Sequence, residues 1–154
     1  MPRKFLVIAD DSQEFGAALR YAARRARSTG GRIALLKVLQ PSTNDYFAGV
    51  REEIEAQLRQ DGEALLQKLG AEAEERSGAK PEFLIEVGET REAIKKVATA
   101  DPDIKILVLA SAVGGRGPGP LVTALAKDGL YAGRQLPVTV VPGDLSDAEI
   151  EDLA

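Results

Sequence analysis

Five short apolar runs, rich in β-branched residues, recur along this chain: KFLVIA at 4–9, RIALLKV at 32–38, EFLIEV at 82–87, KILVLA at 105–110 and LPVTVV at 136–141. The first, fourth and fifth are nearly continuous in apolar residues, as strands buried on both faces of a parallel sheet are. Helical patterns separate them. Phe15, Ala18, Leu19, Ala22 and Ala26 recur at helical spacing within 13–28. Strands alternating with helices make βαβ units, whose right-handed crossovers predict an α/β fold with a doubly wound parallel sheet. Ligands of such sheets sit at the carboxyl ends of strands, at the switch point in strand order.

Local signals place the boundaries. Ser12 is the expected N-cap of the first helix, and the glycines of STGG at 28–31 suit a left-handed C-cap. A long helix is predicted from about Tyr46 to Arg76, with Val50, Ile54, Leu58, Leu65 and Leu69 as its apolar stripe. A shorter one spans about 91–100, with Thr90 as N-cap, Ile94 and Val97 inward and DPD at 101–103 ending it. LVTALAKDGLYAG reads as a further helical stretch before the last strand. Ser146 and Glu149 form a capping-box pattern, so the expected organisation is one domain over 1–143 and a short helical tail over 144–154.

Composition removes several chemistries. The chain has 154 residues, no cysteine and no histidine, which excludes disulfides, thiolate metal sites, Ser-His-Asp triads and histidine bases. A metal here would be a hard cation on oxygen ligands. A net charge of −4 argues against a nucleic-acid-binding face, which needs a basic patch. No apolar run approaches the about 20 residues that cross a membrane, so the expected location is cytoplasmic.

The first run ends in ADDS, with Asp10 and Asp11 adjacent. Paired acids after a first strand open the receiver domains of response regulators, where carboxylates hold Mg²⁺ for phosphoryl transfer. That chemistry also needs an acceptor aspartate after the third strand and a lysine after the fifth. The chain has Val87-Gly88-Glu89 and PVTVVPGD there. The receiver reading therefore fails at residues far from the pair. Asp10 is left as the ligand-side acid, a contact to a nucleotide's sugar or base or to a bound cation. Asp11 reads as a turn residue.

The ordered set of segments resembles the universal stress protein family over nearly the whole chain. FLVIADDSQEFGAALRYAARRARSTGGRIALLKV is similar to that family's opening, EVGETREAIKKVATADPDIKILVLAS to its middle and LPVTVVP to its closing strand. The resemblance implies a Rossmann-like fold with five parallel strands, and a homodimer through the last strand at 136–141. An exposed apolar edge such as PVTVV is suited to pairing with its copy. Many members of the family bind ATP or AMP. The resemblance puts Asp10 and Val38 at the adenosine and a glycine loop after the fourth strand at the phosphates.

The loop departs from the family pattern. ATP-binding members carry Gly-x2-Gly-x9-Gly followed by Ser or Thr. Aligned on the strand end and on Pro-Val, the motif falls on Ala110, Val113, Thr123 and Ala124; aligned on glycines, Gly114 and Gly117 fit, but Lys127 and Asp128 stand in the final pair. SAVGGRGPGP still offers Ser111, Gly114, Gly115, Gly117 and Gly119, with Arg116 able to fork two phosphate oxygens. Pro118 and Pro120 lack donors and stiffen the loop. The candidate site is thus Asp10, Val38, Ala110, Ser111, Gly114, Gly115, Arg116, Gly117 and Gly119, with Asp10 also the candidate for Mg²⁺. The leading reading is a non-enzymatic stress-response module acting through protein contacts or a phosphate-bearing ligand. The alternative is an ATP- or AMP-binding switch with slow or no hydrolysis.

Overall fold

The computed structural model describes residues 3–10, 12–40, 48–112, 119, 121–123 and 136–154. Its elements run in the order β1 (Lys4–Ile8), α1 (Phe15–Thr29), β2 (Arg32–Leu39), α2 (Ala48–Ser77), β3 (Glu82–Val87), α3 (Thr90–Ala100), β4 (Ile104–Ser111), β5 (Val138–Pro142) and α4 (Asp147–Leu153). The five strands form one sheet in the order β3-β2-β1-β4-β5, and every pairing is parallel. This is the doubly wound sheet that the alternation of patterns predicts. The start expected at Tyr46 and most of LVTALAKDGLYAG lie outside the described residues, apart from a helical turn at 121–123.

Both faces of the sheet are covered. Phe5, Val7, Ile33 and Leu35 pack with Leu19 of α1 and Leu66 of α2. Leu6, Leu36, Ile104 and Leu107 pack on the other face with Ile94 and Val97 of α3. Neighbouring residues of β1 thus enter different cores, which is why the strand reads as an unbroken apolar run. β5 corrects the expectation of burial on both faces: it is an edge strand, and Val140 is 44% exposed.

The stripe expected on α2 also needs correction. Val50 is 42% exposed, while Ile54, Leu58, Leu65 and Leu69 are half-buried. The residues that α2 buries are Gly62, Leu66, Gly70, Ala73 and Ser77. Small residues let the helix lie close on β2 and β3, and hydrophobicity alone does not reveal such a face.

Lys4 ties the amino end of the sheet together. Its Nζ lies 2.8 Å from a Glu82 carboxylate oxygen and 2.6 Å from Asp101, so the starts of β1 and β3 and the end of α3 share one ammonium. The bonds to Asp101 and then Glu82 hold the Lys4 pKa above its ordinary 10.5, against the pull of burial. At the other sequence end, α4 carries the full capping box between Ser146 and Glu149 and buries Ile150.

The turn from α1 to β2 depends on two glycines. Gly30 adopts φ 70°, in the left-handed region, as the C-cap reading expects. A Cβ on Gly31 would stand 2.7 Å from the Arg3 carbonyl oxygen, which accepts the Arg32 amide across β1 and β2. Gly30→Ala is expected to destabilise by about 1–2 kcal/mol through the left-handed backbone. Gly31→Ala is expected to destabilise by about 1–3 kcal/mol, because backbone must shift. Urea denaturation of both variants checks these values.

Candidate functional site

Strand order decides where a cleft opens. β1 hands its chain to α1 on one face, and β4 lies beside it on the side away from β2. The carboxyl ends of β1 and β4 therefore flank the switch point. Two cavities meet there. One of about 150 Å³ is lined by Asp10, Phe15 and Ala18 on one side and Ala110, Gly119 and Val122 on the other. The second, of about 590 Å³, lies between the ends of β1 and β2 and the start of α3, lined by Val38, Gln40, Thr90 and Arg91 among others. Ile8, Asp10 and Leu121 border both. A volume of that size suits a small molecule.

Asp10 is the acid on the shared border, and its own neighbour orients it. Ser12 donates its backbone N–H at 2.8 Å and its hydroxyl at 2.6 Å, both to Asp10 Oδ1. The carboxylate is fixed in an Asx turn, with its other oxygen without a partner among the described residues. This corrects the expected role of Ser12. The N-cap of α1 is Glu14, which makes no side-chain cap bond, and the Ser12 hydroxyl serves Asp10 instead of the helix.

The start of α3 forms the opposite wall. Glu89 is the N-cap, and its carboxylate accepts from the Arg91 amide at 3.0 Å and the Glu92 amide at 2.9 Å. Those bonds, the one from Arg91 first, hold the Glu89 pKa below its ordinary 4.5. Thr90, expected as the cap, is the first helical residue instead. Its hydroxyl accepts from Gln40 Nε2 at 2.8 Å, which joins the end of β2 to α3. Glutamate's longer side chain reaches two amides at once, which leaves Thr90 free for this cross-link.

Of the residues singled out in the sequence, Asp10 and Val38 line the larger cavity, and Asp10, Ala110 and Gly119 the smaller. Ser111 ends β4 and lines neither of the two. Asp11, Gly114, Gly115, Arg116 and Gly117 lie outside the described residues. Gln40, Glu89, Thr90 and Arg91 were missed, although all follow the carboxyl ends of β2 and β3, where the strand-end rule points. Among the described residues no group of three or more acids is placed to hold a metal ion. Among the described residues no helix is long and apolar enough to cross a membrane.

Residues 1–119 match the family model described as the universal stress protein family. No curated protein matches the chain. Solved structures do: universal stress protein UspA from Lactobacillus plantarum aligns with a TM-score of 0.73 at 16% identity, covering 90% of this chain and 97% of that one. A universal stress protein in complex with cAMP aligns with a TM-score of 0.62 at 19% identity, over 93% and 98% of the two chains. One from Archaeoglobus fulgidus in complex with dAMP aligns with a TM-score of 0.57 at 20% identity, over 90% and 97%. At these identities the likeness establishes the fold.

The Glu89 cap has a checkable pH signature. Its folded pKa lies below the unfolded one, so its contribution is present above about 4.5 and is lost as pH falls through the folded value. Glu89→Gln is expected to be less stable than wild type at pH 7 by about 0.5–1 kcal/mol, the small end for a cap because the group is exposed. The difference should close below pH 4.5. Thermal melts of both proteins from neutral to acid pH measure it.

Proposed function

The chain belongs to the universal stress protein family, and on that premise we propose that it is a stress-response module that binds an adenine nucleotide at the carboxyl ends of β1, β2 and β4. The observation that carries this is the position of Asp10. It borders both cavities, with one carboxylate oxygen held by Ser12 and the other without a partner among the described residues. An oriented carboxylate of this kind accepts a ribose hydroxyl. The larger cavity takes the base and sugar beside Val38 and Gln40, with Ile8 and Leu121 as apolar walls.

Electrostatics orients the ligand. The amides at the start of α3 already receive the Glu89 carboxylate, so that helix end offers a phosphate no free amide and sets a like charge beside it, even with Lys37 and Arg91 on the same wall. The phosphate is therefore assigned to the β4 side, where Ala110, Ser111 and Gly119 are followed or preceded in sequence by Gly114, Gly115, Arg116 and Gly117. That relatives of the same fold are complexes with cAMP and dAMP supports an adenine ligand of low phosphate number. Mg²⁺ would come with the phosphates of ATP. The role is that of a binding module rather than an enzyme, and its place is the cytoplasm.

The exposed edge of β5 carries a second part of the reading, a homodimer through the last strand. Val140 is exposed there, and strand edges pair with their copies unless blunted. Light scattering at micromolar concentration should give the mass of a dimer; a monomer sinks this part.

Isothermal titration with AMP, cAMP and ATP tests the site. Asp10→Ala is expected to weaken binding at least tenfold, about 1.4 kcal/mol or more, from the loss of a charged hydrogen bond. Ser12→Ala should weaken it less, by freeing the carboxylate to rotate. Unchanged affinity in Asp10→Ala would remove the proposed site.

A further inference from the structure

Away from the cleft, α1 presents Arg20, Arg24 and Arg27 on one face, three and four residues apart, and α2 adds Arg76 together with Glu72, 3.2 Å from Arg76 Nε, and Glu75, so that four arginines face two glutamates of the groove itself. The acidic helix α4 is seated on this row. Asp147 Oδ1 lies 2.9 Å from Arg20 Nε, and Asp147 Oδ2 lies 3.8 Å from Arg76 Nη2. Glu151 Oε2 accepts from Arg24 Nε at 2.9 Å, and between the two acids Ile150 is buried to 3% exposure. The contact is a short code on one helix face: an acid, an aliphatic residue three positions on, then an acid beside it.

The seat is not filled by its own helix. A cavity of about 580 Å³ remains among these side chains, and Arg27, which lines it, has no ion-pair partner among the described residues. Arg20 Nε is buried without a hydrogen bond of acceptable geometry, although Asp147 is near in distance. A longer acidic helix reaches Arg27 beyond Glu151. We propose that the arginine groove of α1 and α2 is a docking surface for an acidic amphipathic helix of another protein, and that α4 is a displaceable stand-in which that helix replaces. Charge complementarity and the seated α4 define the partner: Asp or Glu, two residues, Ile or Leu, then Glu, extended far enough to reach Arg27. This is independent of nucleotide binding.

The test uses a labelled peptide with the sequence of residues 143–154, titrated by fluorescence anisotropy into the full chain and two variants. Glu151→Arg and Arg24→Glu break the same 2.9 Å pair, but only the first leaves the groove intact. Both residues are on the surface, and circular dichroism confirms folding. The peptide is expected to bind Glu151→Arg at least tenfold more tightly than Arg24→Glu or wild type, and a peptide with Asp at the Ile150 position should not bind. Equal binding by the two variants, or no gain over wild type, overturns the proposal. If Glu151→Arg without peptide forms assemblies larger than those of wild type, the occupant is a second copy and the assignment to another protein fails. Hydrogen exchange of the wild type gives a readout without any variant. Exchange of α4 amides ahead of β1 supports a displaceable helix, and exchange only with the whole sheet refutes it.

Discussion

A parallel strand cannot turn back into its neighbour; the chain must cross the sheet before the next strand begins. With β2 and β3 laid to one side of β1 and β4 and β5 to the other, the crossovers must lie on opposite faces. The helices α1 and α2 pack on one core and α3 on the other. Chains that leave adjacent strands in opposite directions cannot cover the strand ends. The two cavities beside Asp10 are that uncovered region, so the position of the cleft follows from topology before any side chain is considered.

What the side chains add is polarity. Asp10, Glu14 and Glu89 put carboxylates around the cleft, and Arg91 and Lys37 put cations on the wall nearest β2 and α3. Each acid has its own local reason. Asp10 closes a turn with Ser12, and Glu89 caps α3. Glu14 opens α1 without a cap bond. A helix N-terminus that is already occupied by its own carboxylate has a different role from an open one. It stiffens the wall, and its amides are no longer open to an anion.

The sequence made the sheet readable because β1 faces a core at every position from Phe5 to Ile8, which leaves no polar position to blur the run. Gly30 and the Ser146–Glu149 box were readable for a related reason: each depends only on residues within a few positions. Ser12 and Thr90 failed as caps because each had a better partner, Asp10 two residues back for one and Gln40 fifty residues away for the other. Local preference ranks cap residues but cannot see competition from elsewhere in the fold. The buried face of α2 escaped for another reason. It rests on Gly62, Gly70 and Ala73, whose contribution is close approach to the sheet rather than hydrophobic area. Of the cavity's lining, Asp10 was legible from its strand end and Val38 through the family resemblance, whereas Gln40 and Arg91 are brought together on one wall by the pairing of β2 with β3.

The same balance of local and distant terms bears on α4. Seven residues are too few for a helix to persist on its own, even with a capping box. Its attachment rests on Ile150, whose burial is worth about 2 kcal/mol, with a smaller share from Leu145 against the core. In the pairs of Asp147 and Glu151 with arginines the acid side chains are 66% and 67% exposed, so each pair adds under about 1 kcal/mol. A domain of this size is stabilised by about 5–15 kcal/mol as a whole. α4 therefore opens at a fraction of the free energy that unfolds the sheet, as weakly attached segments do. The helix it leaves behind does not open with it. α1 buries Ala17, Ala18, Leu19, Ala22, Ala23 and Ala26, and it lends Phe15 and Ala18 to the cleft while its arginines face the other way. One rigid, alanine-packed helix thus forms a wall of the ligand cleft and the floor of the arginine groove.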